Sequence, residues 1–189
     1  MRKGEIMVKI VKYSKKEILF KGVEFVRTNG IENLNARDLA KYIGCSTQPI
    51  FKNWKSLEEY KQDLKIELKK DYHQFISKYV DESDYLYTIS YAYAMYAKKE
   101  SNIFKALFIT TLAGSRTPKE VVHSSWNIPT IQAMTKQYKL SKEQAEELYR
   151  DVRFYTHGIA CQLSVQSIIL TEYELSIYIH NVIEKLRKR

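Results

Sequence analysis

Glycine and proline are scarce in this 189-residue sequence, at 6 and 3. So few turn formers exclude a many-stranded sheet and a flexible linker, and helices joined by short connections are expected. Cysteine is scarcer still. Cys45 and Cys161 lie far apart inside helical patterns, which excludes a disulfide framework and predicts a reducing cytoplasm. No segment approaches the roughly 18 consecutive apolar residues that a membrane span needs. The opening stretch MRKGEIMVKIVKYSKK is basic and interrupted, unlike a secretory leader, so no membrane partner is expected. Hydrophobic residues still make up 44% of the chain, enough for a packed core and against wholesale disorder.

Catalytic and metal-binding patterns are missing too. His73, His123, His157 and His180 show no His-x-x-x-His spacing, and Glu143, Glu146 and Glu147 read as a solvated helix face. No Gly-rich phosphate loop, nucleophile elbow or Cys–His pairing close in sequence is read. Neither an enzyme nor a cofactor nor a metal is predicted.

What is present is positive charge, unevenly spread. The formal charge is +9; residues 1–55 hold 12 Lys and Arg against 5 Asp and Glu, a net of +7 in less than a third of the chain. Lys and Arg release condensed counterions when they meet phosphates, so this third points to a polyanion, or to a basic face kept for solubility.

The same third carries three helical patterns. Ser14-Lys15-Lys16-Glu17 is a capping box, followed by Ile18, Leu19, Gly22, Val23 and Val26 on one face and closed by Asn29-Gly30. Asn35 is a good N-cap for a short helix from Ala36 to Ile43, and Gly44 permits a tight turn after it. Ser46 is expected to cap a third helix with Pro49 in its first turn and Ile50, Phe51 and Trp54 as apolar surface. Two short helices, a Gly turn and a supporting first helix predict a tri-helical helix-turn-helix domain. The outward residues near the start of its third helix, Ser46, Thr47, Gln48 and Lys52, suit the hydrogen-bonding edges of bases in the major groove.

The stretch from Leu34 to Glu59 resembles the TetR family of bacterial repressors. Asp38-Leu39-Ala40, Gly44, Ser46, Ile50 and Lys55 through Glu59 fall into the family's register, and at motif level the likeness covers about residues 14–60. Phe51 departs, standing where the family usually has a Tyr whose hydroxyl contacts a phosphate. Asn53 replaces a His or Tyr, Asn35 a Thr, and Trp54 a Phe. The resemblance implies that Asn35, Arg37, Thr47, Asn53 and Lys55 lean on phosphates, with Ser46, Gln48, Lys52 and the neighbouring Phe51 on the same DNA-facing surface. It implies a repressor that leaves a double-stranded operator when a small molecule binds; the alternative is a constitutive DNA-binding protein without an effector.

Residues 56–189 are predicted to form a second, all-helical domain. A long amphipathic run follows Ser56, a fifth helix spans Tyr85 to Lys99, and a sixth, capped by Ser101, runs to about Leu112. A short helix is expected around Trp126 to Tyr138. Ser141-Lys142-Glu143-Gln144 and Thr171-Glu172-Tyr173-Glu174 are further capping boxes. The first opens a helix with Ala145, Leu148, Val152, Tyr155, Ile159 and Leu163 on one face; the second opens one with Leu175, Ile179, Val182 and Leu186 inward. Thr156 through Ala160 resembles a stretch of one branch of the family, whose members form homodimers through their last two helices. Leu163 and Val182 are the expected seam residues. Aromatics are dense, 10 among residues 72–108. Together with the family's habit, this predicts an effector pocket lined by Tyr72, Phe75, Tyr91, Tyr96, Phe104, Phe108 and Trp126, with His157 as a polar tip. Such a lining has few donors and no Arg cluster, which favours a largely hydrophobic, ring-bearing ligand.

Overall fold

The computed structural model describes residues 13–188 and is all-α, with ten α-helices and no strand among those residues. The basic opening stretch MRKGEIMVKIVKYSKK lies mostly outside them. In chain order the helices are α1 Lys15–Asn29, α2 Ala36–Ile43, α3 Gln48–Asn53, α4 Leu57–Ile76, α5 Tyr85–Lys99, α6 Ser101–Phe108, α7 Pro118–Val122, α8 Ile128–Gln137, α9 Lys142–Ser164 and α10 Glu172–Arg187. None of them is long and apolar enough to cross a membrane.

Side chains that satisfy orphan backbone groups set most of the starts. Ser14 and Glu17, Ser141 and Gln144, and Thr171 and Glu174 close reciprocal capping boxes at α1, α9 and α10. Asn35 Oδ1 accepts from Arg37 N and Asp38 N at α2, Ser56 accepts from Glu59 N at α4, and Asp84 from Tyr87 N at α5. A fourth box, Thr117 with Glu120, opens α7, a helix that the sequence reading does not expect.

Several ends differ from expectation. The cap of α3 is Thr47, not Ser46, and its side chain makes no capping bond. The α6 helix stops at Phe108, and residues Thr111–Ala113 form a separate 3₁₀ turn. Gly44 is left-handed (φ 83°, ψ 34°), as a tight turn requires, whereas Gly30 pairs a positive φ of 82° with an extended ψ of 157°. The turn from α9 to α10 has no glycine; Gln166 takes the left-handed conformation there, at φ 56°.

Two buried clusters organise the chain, and α5 belongs to both. Its residues from Ala92 through Ala97 are all buried, the pattern of a helix apolar on every side and enclosed by others. Tyr93, Tyr96 and Ala97 join the cluster built on α1 through α4 and α6, while Leu86, Ala94 and Met95 join the one built on α7 through α10. The first cluster runs without interruption across residue 55, from Ile18 and Ile50 through Trp54 to Tyr60, Leu64 and Phe104.

The face that α9 buries also departs from the predicted one. Thr156 and Ala160 are buried and Tyr155 is exposed. Small side chains at 156 and 160 let α9 approach α5 closely, which turns Tyr155 outward. Leu163 is only 5% exposed and packs within its own chain, so it is not a free seam residue. Val182 is half-buried against the same cluster, and Ile183 takes the inward position on α10.

Candidate nucleic-acid interface and basic recess

The α2–turn–α3 segment is held from beneath. Gly44 N donates to Ala40 O (3.0 Å) and Cys45 N to the same carbonyl (2.9 Å), which ends α2 sharply. Ile50 and Trp54 are buried and anchor α3, a helix too short to stand alone. Trp54 Nε1 donates to Asp63 Oδ2 (2.8 Å), and Lys15 Nζ pairs with the same carboxylate (2.7 Å). That Asp is held below the usual carboxylate range, first by its hydrogen bonds with Lys15 and Trp54. One carboxylate thus ties α1, α3 and α4 together.

The outward surface holds most of the predicted contact residues. Arg37, Ser46, Gln48, Phe51, Lys52 and Lys55 are exposed; Thr47 and Asn53 are half-buried. Among the described residues no carboxylate lies within ion-pair distance of Arg37, Lys52 or Lys55. Three residues behave otherwise than the sequence suggests. Asn35 spends its carbonyl oxygen on the α2 cap and its amide on Asp38. Asn53 Nδ2 donates to Pro49 O within α3 (2.8 Å). Phe51, expected both as apolar surface of α3 and among the contact residues, is 49% exposed and so stands with the contact residues rather than the core.

The predicted effector residues separate into groups. A recess of about 200 Å³ opens between α4, α6, the 3₁₀ turn, α7 and α9, and it is lined by Tyr72, Phe108 and Trp126 from the predicted set. Phe75, Tyr91, Tyr96, Phe104 and His157 do not line it. Phe104 and Tyr96 are buried in the first core, Phe75 packs on Tyr96 at 5.1 Å, and Tyr91 lies among Tyr79, Tyr87 and Glu172. His157 bonds Tyr93 Oη through Nδ1 (2.8 Å). Its Nε2 lies 3.4 Å from Cys161 Sγ, which corrects the expectation of no Cys–His pairing close in sequence: the two sit one helical turn apart on α9. Burial raises the Cys161 thiol above its ordinary value.

The rest of the lining is basic. Lys65, Lys69, His73, Arg116 and Arg153 all face the recess, and no Asp or Glu does. The expectation of few donors and no Arg cluster is therefore corrected: four permanent cations from three separate parts of the chain converge there. The Arg153 guanidinium lies 3.5 Å from the centre of the Tyr93 ring. Lys65 Nζ donates to Ala113 O at 3.1 Å. Its pKa is pulled down, first by burial and then by Lys69 and Arg116. Burial, then Arg153 and Arg116, lowers His157; burial, then Lys69, lowers His73. Trp126 is 61% exposed yet stacks on His73, with ring centres 3.4 Å apart, as a cap at the rim. The Lys65–Lys69 pair on α4, with His73 one turn further on, was visible in sequence as like charges one turn apart, an unfavourable spacing unless an anion meets it.

A short network joins this region to α1. Asp71, beside Tyr72 on α4, accepts from Tyr96 Oη (2.8 Å) and pairs with Arg27 of α1. Arg27 Nε also pairs with Glu100 at the head of α6 (2.9 Å), and Asn102 Nδ2 donates to Arg27 O (3.0 Å).

Against known proteins, no family model matches the chain and no curated protein matches it.

Proposed function

We propose that this chain is a DNA-binding transcription regulator of the TetR type, in which α2, the Gly44 turn and α3 form the helix-turn-helix and a small molecule in the recess controls operator affinity. The observation that carries the proposal is the exposed polar face of α3, with Gln48 and Lys52 outward, on a helix pinned by buried Ile50 and Trp54. Arg37, Lys52 and Lys55, without a carboxylate partner among the described residues, supply the phosphate attraction that sequence-independent affinity needs.

Ligand control, rather than constitutive binding, is favoured by the recess. Its roughly 200 Å³ exceeds several times the ~30 Å³ that one water takes in the liquid. Control requires that the ligand bind the DNA-competent and released forms unequally. Asp71 and Tyr72 are adjacent on α4, so a ligand that shifts Tyr72 also disturbs the Arg27–Asp71 contact with α1. A homodimer is supported by apolar side chains left on the last two helices: Phe154 and Tyr155 on α9, and Tyr173, Ile177 and Tyr178 on α10 are all exposed.

The test is selection of bound sequences from a randomised duplex library, followed by fluorescence anisotropy on the enriched site. Enrichment of a roughly palindromic site, with affinity falling steeply with salt, is expected. Recovery of no preferred sequence, or affinity indifferent to salt, would overturn the proposal.

A further inference from the structure

A recess that gathers cations without a single carboxylate is costly in an empty protein. Like charges repel, and partly desolvated ammonium and guanidinium groups lack the partners that would offset their lost hydration. Arg153 shows this most clearly. It is partly buried, it faces the recess, and among the described residues no carboxylate pairs with it; its neighbours are the rings of Tyr93 and, at 5.7 Å, Phe108. Among the described residues Lys65 finds one partner, a backbone carbonyl, and Lys69 and Arg116 stand exposed at the rim. The other walls are aromatic: Tyr72 and Phe108 meet edge to face at 5.1 Å, and Trp126 over His73 forms the cap.

We propose that the recess binds a small aromatic anion, a single-ring carboxylate, whose charge is met by Arg153, Lys65, Lys69 and Arg116 and whose ring lies against Tyr72, Phe108 and Trp126. This rests on the recess being the effector site proposed above and names the class of effector. A cavity of ~150 Å³ accommodates benzene, so the roughly 200 Å³ of the recess has room for one ring with a charged substituent. The charge distribution excludes amines, which would face four cations. It also separates an aryl carboxylate from a purely hydrophobic ligand, which would leave the cations uncompensated. The planar guanidinium fork of Arg153 fits a carboxylate in bidentate fashion, and a lysine at the rim adds a point charge. Proton uptake accompanies binding, because an anion beside His73 favours its charged form.

The probes are benzoate, its neutral isostere benzamide, and inorganic phosphate, titrated into the full chain. Calorimetry and Trp126 fluorescence are the readouts, with Trp126→Phe identifying the signal that comes from the rim. Benzoate is expected to bind at least about tenfold more tightly than benzamide, as the loss of one charge-assisted hydrogen bond implies. Arg153→Gln should abolish the preference. Because Arg153 also packs on Tyr93, the rim variants Lys69→Gln and Arg116→Gln, both at exposed positions, serve as a second test; each should weaken benzoate and leave benzamide unchanged. Equal affinity for benzoate and benzamide overturns the proposal, as does no benzoate binding at 10 mM, on the order of the weakest affinities worth measuring. Phosphate binding as tightly as benzoate overturns it too, because the aromatic walls would then contribute nothing. DNA anisotropy with and without benzoate is read separately. Benzoate that binds yet leaves operator affinity unchanged upholds the anion site and counts against ligand control of DNA binding.

Discussion

Replacing Gly22 by alanine tests the seat of α1 on α4 with the smallest possible change. A Cβ at Gly22 would lie 1.8 Å from Tyr60 Oη and 3.1 Å from both Tyr60 Cζ and Leu64 Cδ1. The Tyr60 ring cannot turn away: it is fully buried and meets Trp54 edge to face at 4.9 Å. In an open helix interior the substitution would gain about 1 kcal/mol from propensity. Forcing a methyl into a packed seam costs about 1–3 kcal/mol, and at this separation the upper half of that range applies. The net expectation is a loss of about 1–2 kcal/mol, or roughly 2–8 °C in Tm for a chain of this size. Tyr60→Phe isolates the cause. Its hydroxyl donates one long hydrogen bond, 3.4 Å to Ile18 O, so the single variant should lose under about 1 kcal/mol. The Gly22→Ala/Tyr60→Phe double variant should then regain most of what Gly22→Ala loses, a coupling of about 1–3 kcal/mol. Urea unfolding of the four proteins measures it. A Gly22→Ala protein more stable than the parent, or a cycle in which the two changes simply add, would refute the close approach of the two helices.

Three further predictions follow from the exposed surfaces and the histidines. Gln48→Ala and Lys52→Ala should cost about 1–3 kcal/mol on the selected operator and far less on random DNA, whereas Lys55→Ala should weaken both alike and reduce the salt slope by about 1; equal losses on both DNAs for all three would remove α3 from base reading. Phe154→Glu or Ile177→Glu should convert a dimer to a monomer in light scattering while leaving the helical CD spectrum intact, and a parent mass of one chain at micromolar concentration would contradict the dimer. His73 and His157 both have folded pKa values below the ordinary 6.5, the first through burial and Lys69, the second through burial, Arg153 and Arg116. The unfolded chain therefore binds more protons below pH 6.5, so their contribution is intact above that pH and is lost as pH falls through their folded values. His157→Gln should flatten the fall in Tm between about pH 6.5 and 5, and an unchanged slope would exclude His157 as a cause.

Helix positions were legible where a side chain announces a start. Asn35 and the Ser14, Ser141 and Thr171 boxes each place a helix within one residue, because a cap is a local interaction between neighbours. Boundaries set by packing were not. The end of α6 at Phe108 and the outward turn of Tyr155 depend on what lies opposite, and so does the inward placement of Leu163. The recess shows the same division. Tyr72, Phe108 and Trp126 could be guessed from aromatic density, yet Lys65 and Lys69, Arg116, and Arg153 lie on segments separated by about 40 residues each, and only folding brings them to one place. For the predicted contact residues of α2 and α3 the sequence told which positions are outward, since Gly44 and the buried Ile50 and Trp54 fix that face.

The construction of the recess bears on how such a chain can change. Lys69, Arg116 and Trp126 sit at exposed rim positions outside both cores, where substitutions usually alter stability by less than about 0.5 kcal/mol. The network of Arg27, Asp71 and Glu100 lies apart from that rim. On the ligand control proposed above, replacing rim residues would exchange one ligand preference for another while the fold and the connection to α1 stay as they are. A duplicated copy could drift to a new signal through a few surface mutations, each tolerated on its own, without passing through an unfolded intermediate.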